Sequence, residues 1–177
     1  MIKEQLHCEF DSAAVQGLIY EHTKGTNLEA WSQDIFEMID KVMHTPFLDD
    51  PEFMLCNIPS SQFFLEMEFA FDMCGNMMKG FIDAVFIWKN KYFILDWKTN
   101  FLGNCETSYL EENIKKTMQQ QDYFLQAAIY SEALKRYIQQ FEKRNFSACF
   151  GGALYVFLRG NKAYHFHPDL SLLEGIQ

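Results

Sequence analysis

Lys79-Gly80-Phe81-Ile82-Asp83-Ala84-Val85-Phe86 and, beyond Lys89-Asn90, Ile94-Leu95-Asp96-Trp97-Lys98 are two runs of strand-forming residues, each interrupted by one aspartate. Asn90 and Lys89 suit a tight turn, so the runs read as neighbouring antiparallel strands, about 77–88 and 91–98. Upstream, Gly75-Asn76 signals a second hairpin, which makes 62–73 a third strand carrying Glu66 and Glu68 on one face. Residues facing each other across a hairpin share a side of the sheet. With Gly75-Asn76 as the loop, Asp83 faces Glu68. With Lys89-Asn90 as the loop, Asp83 faces Asp96, and Lys98 lies two residues along on the same face. If the second turn is instead Asn90-Lys91, Lys98 faces Asp83 and the face is kept. Like charges directly opposite are destabilising. A row of carboxylates beside one lysine, amid Phe, Ile, Leu and Trp, calls for a compensating cation. Hard oxygen donors at a partly open site suit Mg²⁺, with Mn²⁺ possible. The plainer reading is a set of strand-end acids with Lys98 as a cross-strand ion pair.

The rest of the chain supplies helices around these strands. Thr26 and Glu29 form a capping-box pattern ahead of Leu28, Trp31, Ile35, Met38, Ile39 and Val42, which predicts a helix over 27–43. Pro46, Pro51 and Pro59 mark a loop over 45–61. Phe124, Leu125, Ala128, Ile129, Leu134, Tyr137, Ile138 and Phe141 repeat at helical spacing and predict a helix over 112–142, broken near Gln121. The continuous apolar run Ala153–Leu158 suits a strand buried on both faces, and 163–167 a short last strand. The order predicts a mixed-sheet α/β (α+β) fold. Residues 1–61 read as a helical segment and loop of the same domain as the core, 62–177.

The composition bounds the function. The 177 residues carry 15 Lys plus Arg against 24 Asp plus Glu, a net charge of −9. That excludes a basic arm or a simple charge-driven nucleic-acid binder. Apolar residues make up 49%, with 18 Phe, which excludes a disordered chain. No run approaches the roughly 18 apolar residues of a membrane span. The start, Met1 to Phe10, has no signal-peptide core. Five scattered cysteines, Cys8, Cys56, Cys74, Cys105 and Cys149, have no Cys-x-x-Cys pair. They argue against a zinc ribbon, an iron–sulfur cluster or a disulfide framework, and for a cytoplasmic setting. There is no phosphate-binding Gly-rich loop of the ATPase kind.

Four motifs in order then resemble one family. Lys79–Phe86 resembles the Gly-x-x-Asp strand of RecB-type nuclease domains. Ile94–Asn100, followed by Phe101-Leu102-Gly103, resembles their Asp-x-Lys strand and trailing Asn-x-Leu-Gly. Tyr123–Tyr130 resembles their Gln-x-x-x-Tyr helix, and Phe150–Gly160 the run after it. The resemblance covers about 62–168. It implies the PD-(D/E)xK restriction-endonuclease-like core, a central mixed sheet flanked by helices. It also implies a Mg²⁺-dependent exodeoxyribonuclease of recombinational DNA repair, with DNA as substrate and RecC, RecD and a RecB helicase portion as partners. Asp83, Asp96 and the Trp97 carbonyl would be metal ligands. Lys98 would act on the attacking water and the scissile phosphate. Gln126 and Tyr130, four apart on one helix face, would lie beside the site. The family's glutamate on the first strand matches Glu66 by alignment and Glu68 by the hairpin register. Its N-terminal metal-binding histidine lies four residues after a glycine. Here Gly17 is followed by Leu18-Ile19-Tyr20-Glu21-His22, so the histidine is one position late, a rotation of about 100°. His22 through a local distortion, Glu21 as substitute, and an unrelated N-terminus all remain open. His7, His44, His165 and His167 read as ordinary surface or core residues. The alternative to an enzyme is a catalytically decayed nuclease-fold module serving DNA binding or protein interaction. The basic pairs Lys115-Lys116, Lys135-Arg136 and Lys143-Arg144, with Arg159, read mostly as solvated surface. The domain alone is therefore expected to bind DNA weakly.

Overall fold

In the computed structural model, which describes residues 11–176, five strands form one mixed sheet in chain order: β1 (Phe63–Met73), β2 (Asn76–Trp88), β3 (Lys91–Lys98), β4 (Phe150–Phe157) and β5 (Lys162–Phe166). The β1–β2, β2–β3 and β4–β5 pairs are antiparallel and β3–β4 is parallel. The parallel pair needs a crossover. Helices α3 (Glu111–Gln120) and α4 (Tyr123–Ile138), with the one-turn α5 (Phe146–Cys149), supply it. Ahead of the sheet lie α1 (Ser12–Thr23) and α2 (Ser32–Met43). The result is α+β, as the order of elements predicts. No helix among the described residues is long and apolar enough to cross a membrane.

Each face of the sheet has its own core. Ile94, Ala153, Tyr155 and Phe157 pack with Ile114, Met118, Ala127, Leu134 and Ile138 of α3 and α4. Phe86, Phe93, Leu95, Leu154 and Val156 pack on the other side with Val42 and Met43 of α2 and with Phe53, Leu55 and Ile58 of the following loop. β4 is buried along its whole length, as its unbroken apolar run requires.

The structure corrects two sequence expectations. The first hairpin turns at Cys74-Gly75, not Gly75-Asn76: Met73 pairs with Asn76, and Cys74 and Gly75 have φ of 54° and 83°. Two successive positive φ values give the turn whose twist matches the flanking strands. Glu68 consequently faces Phe81, and Glu66 is level with Asp83, bracketed by Leu65–Ala84 and Met67–Ile82. The second hairpin turns at Lys89-Asn90 as expected, with Trp88 opposite Lys91. The predicted 27–43 helix starts as a 3₁₀ turn at Glu29–Trp31 and becomes α-helical only at Ser32. Thr26 Oγ1 accepts from Leu28 N and Glu29 Oε2 from Gly25 N, a capping pattern slipped from the expected box. The helix expected over 112–142 is broken near Gln121 as predicted, by Asp122 at φ 54°, and ends at Ile138.

Glu66 also has a left-handed φ of 49°. Phe63 and Leu65 pack toward the α2-side core, whereas Met67 and Phe69 pack toward the α4-side core. A regular strand keeps such alternate residues on one face. The backbone therefore flips at Glu66, level with Asp83.

Parallel pairing slips by one residue at Tyr92/Phe93, where Gly151 is the extra residue between Phe150 and Gly152. A Cβ on Gly151 would overlap the Phe93 ring, which stacks on Phe86 with centroids 5.0 Å apart. Gly151→Ala is expected to cost about 3 kcal/mol in urea denaturation, as overpacked cores do. Gly17→Ala, where an added Cβ meets open space in α1, should gain about 0.5–1 kcal/mol. Equal effects of the two changes would contradict this packing.

Candidate active site

The sheet forks. β2 and β3 pair from Trp88–Lys91 to Ala84–Leu95 and no further. Beyond that rung β2 pairs only with β1, and Asp96 to Lys98 of β3 pair only with β4. Asp83 is the first β2 residue past the last rung. Its Oδ2 accepts the backbone N–H of Trp97 at 2.9 Å, so a carboxylate replaces the missing ladder bond. Asp83 is thereby tied to the residue between Asp96 and Lys98.

Strand alternation puts Asp96 and Lys98 on the α4 side and sends Trp97 to the α2-side core. Asp96 is opposite Tyr155 and Lys98 opposite Phe157 in the parallel ladder. Both charges are buried, at 3% and 7% exposure. Lys98 Nζ lies 2.6 Å from Asp96 Oδ2 and donates to Gln126 Oε1 at 3.0 Å. Tyr155 OH donates to the same Gln126 oxygen at 3.1 Å, and Gln126 Nε2 donates to Tyr130 OH at 3.0 Å. The spacing of Gln126 and Tyr130 on one helix face is what lets them bond each other while facing the sheet.

The electrostatics follow from this burial. Desolvation pushes the Asp96 carboxyl up to about 6; the hydrogen bond and charge of Lys98 oppose this, and the nearby Asp83 adds to it. Tyr130 is raised to about 12, by desolvation first and then by Asp96 and Asp83. Tyr155, wholly buried, is raised further for the same reasons.

Five of the predicted residues therefore converge: Asp83, Asp96, Lys98, Gln126 and Tyr130, with Trp97 joined through its N–H. Glu66 is exposed and level with Asp83 across the hairpin; Glu68 is exposed and opposite Phe81. His22 and Glu21 are exposed on α1, and His22 Nδ1 lies 2.9 Å from Leu18 O, one turn back on its own helix. The hydrogen bonds of the cluster involve neither. Two members went unrecognised in the sequence. Tyr155 lies in an apolar run that reads as pure core, and its place opposite Asp96 depends on the parallel register. Tyr123 opens α4 and sets its ring under Lys98.

Among the described residues no three His, Cys, Asp or Glu side chains form a metal-binding group. The cluster does supply two carboxylates. One oxygen of each is engaged, Asp83 Oδ2 by Trp97 N–H and Asp96 Oδ2 by Lys98. The second oxygen of each has no protein partner among the described residues. Such an oxygen-only donor set, completed by main-chain carbonyl and water, fits Mg²⁺, which keeps several waters when bound.

A mixed-sheet domain with a lysine and two aspartates gathered at a fork in the sheet is the class that fold and site define. No known family's sequence profile matches the chain. Individual proteins do match. The RecB subunit of the RecBCD enzyme from Escherichia coli K12 is 39% identical over 90 residues, covering 50% of this chain and 8% of that protein. The same subunit from Buchnera aphidicola subsp. Schizaphis graminum is 36% identical over 115 residues, 62% of this chain and 10% of that protein. That from Buchnera aphidicola subsp. Acyrthosiphon pisum is 30% identical over 182 residues, 81% and 15%. The chain is a RecB-related domain, and it spans 8 to 15% of the length of these relatives.

The raised Asp96 value sets a pH dependence. Between the ordinary aspartate value near 4 and about 6, the folded protein holds a proton that the unfolded chain has released. The stability this proton provides is complete below about 4 and is lost as pH rises through about 6. The gap corresponds to about 3 kcal/mol. With chelator present, the stability of wild type relative to Asp96→Asn should fall by up to that amount between pH 4 and 7 in urea titrations. A difference that is flat with pH would contradict the assignment.

Proposed function

We propose that this domain is a metal-dependent deoxyribonuclease of the PD-(D/E)xK type. It would form the nuclease part of a RecB-type helicase–nuclease that degrades DNA ends during recombinational repair. The observation that carries this reading is the convergence of Asp83, Asp96 and Lys98 in one hydrogen-bonded cluster at the fork. The relation to RecB subunits supports it, and so does the presence of Gln126 and Tyr130 in the same network. The four described cysteines, Cys56, Cys74, Cys105 and Cys149, are all free, which supports a reducing, cytoplasmic setting.

In this reading Asp83, Asp96 and the Trp97 carbonyl hold Mg²⁺, or Mn²⁺ on the same oxygen donors. When bound, such an ion acidifies a water molecule and offsets phosphate charge. Lys98 contributes a second positive charge, already desolvated and oriented, for a developing phosphate oxyanion. Gln126 acts through Lys98. Its carbonyl is fixed by Lys98 and Tyr155, and its amide by Tyr130, so the ammonium needs little reorganisation. His22 and Glu21 stand as candidates for a further ligand and Glu66 for a further acid at the site.

The acidic surface supports delivery of DNA by other parts of the assembly. Several cations are already paired: Lys89 with Asp50 and Glu52, Lys135 and Arg136 with Glu132, and Arg144 with Glu142. The helicase portion, with RecC and RecD, would bring the strand to the fork.

Linear single-stranded DNA should be degraded with Mg²⁺ and spared with chelator. Asp96→Ala and Lys98→Ala should each lower the rate by on the order of 100-fold or more. The assay belongs both on the domain and on the domain joined to its motor. Wild type and both variants equally inert within the full assembly would defeat the nuclease reading. That outcome would leave the nuclease-fold module that serves DNA binding or protein interaction.

A further inference from the structure

Lysine is a long, flexible side chain with three N–H donors. Asp96 Oδ2 and Gln126 Oε1 account for two of the Lys98 donors. The remaining side of the ammonium meets aromatic carbon. The Tyr123 ring centroid lies 3.7 Å from Lys98 Nζ, and that of Tyr155 lies 5.0 Å away. Tyr123 reaches this place because the left-handed Asp122 starts α4 directly before it. Its hydroxyl donates to Asn100 Oδ1 at 3.2 Å. Asn100 is held in turn. Its carbonyl accepts Tyr109 OH, and the same hydroxyl accepts Leu102 N–H, both at 3.2 Å. Tyr109 is buried, so the ring is braced by a loop pinned to the core.

We propose that Tyr123 is a positioning residue: its π face holds the Lys98 ammonium in place for the phosphate. The inference rests on the role given to Lys98 above. A ring attracts a cation through its quadrupole, and the attraction grows when the cation is desolvated, as Lys98 is. The chemical consequence differs from that of a carboxylate. Asp96 holds Lys98 by neutralising it. Tyr123 holds it without a counter-charge, so the positive field of the ammonium survives. When Asp96 is shared with a metal ion, Tyr123 and Gln126 are the contacts that keep Lys98 from swinging out.

Two readouts test this on the whole chain. A lysine side chain over a tyrosine ring has its Hε protons shifted upfield by the ring current. By NMR with chelator present, the Lys98 Hε protons should lie upfield of other lysines and show cross-relaxation to the Tyr123 ring. Tyr123→Phe, which keeps the ring, should preserve the shift; Tyr123→Leu should abolish it. In metal-dependent DNA cleavage, Tyr123→Leu should lower kcat about tenfold with KM changed less than about twofold, while Tyr123→Phe retains most of the rate. The proposal is overturned if wild-type Lys98 shows no upfield shift, or if Tyr123→Phe falls as far as Tyr123→Leu in both readouts. A wild-type chain that cleaves no DNA even when joined to its motor would remove the nuclease reading, and the Lys98 resonances would still decide the positioning. If Tyr123→Leu does not fold, the wild-type shift and the Phe variant decide.

Discussion

The buried contact between Lys98 and Asp96 constrains everything around it. Each charge has left water, at a cost of several kcal/mol per ion, and their attraction offsets this only when the remaining hydrogen-bonding capacity is also met. Gln126 meets part of it at Lys98 and is itself held by Tyr155 of β4 and by Tyr130, while Tyr123 covers the ammonium; the second Asp96 oxygen is left without a protein partner among the described residues. With Asp96 and Lys98 of β3, these residues come from three elements, β3, α4 and β4. They meet because β3 and β4 are parallel neighbours and the chain between them packs back as α3 and α4. Removing one partner would leave an uncompensated buried charge, a loss of about 3–5 kcal/mol.

The fork in the sheet is the second constraint. A sheet that continued β2–β3 pairing past Ala84 would spend the Trp97 N–H on a backbone carbonyl and bury Asp83 in a ladder. Ending the pairing one residue earlier frees Asp83 to take that N–H with one oxygen and keep the other available. The left-handed Glu66, level with Asp83 on β1, belongs to the same irregularity. A charged cluster thus sits where regular pairing stops, between two separate cores. The overall acidity of the chain no longer stands against a nucleic-acid substrate on its own. In the proposed reading, metal and lysine act locally and DNA arrives by tethering.

Much of this was legible in the sequence because local rules govern it. The Lys89-Asn90 turn fixed the β2–β3 register, the Ala153–Leu158 run marked the central buried strand, and the break near Gln121 was visible. The first hairpin is ambiguous in the sequence because Gly75 admits a turn on either side of it, and a shift of one turn position exchanges Glu68 for Glu66 opposite Asp83. Helix α1 has little sequence signature because its apolar residues, Val15 and Ile19 among them, form a thin stripe beside the exposed Gly17. Asn100 and Tyr123 stand in the runs that resemble RecB-type domains with no role of their own, and Tyr155 stands in an apolar run. Their part in the cluster arises from long-range packing, which no local pattern encodes.

In the proposed reading the Asp83 and Asp96 carboxylates form one cation site. Titration of the chain with Mn²⁺, followed by electron paramagnetic resonance of the free ion, tests it without any assay of DNA cleavage. Saturable binding is expected in wild type and is lost in Asp83→Asn/Asp96→Asn while the fold persists. Equal binding by the double variant would contradict it.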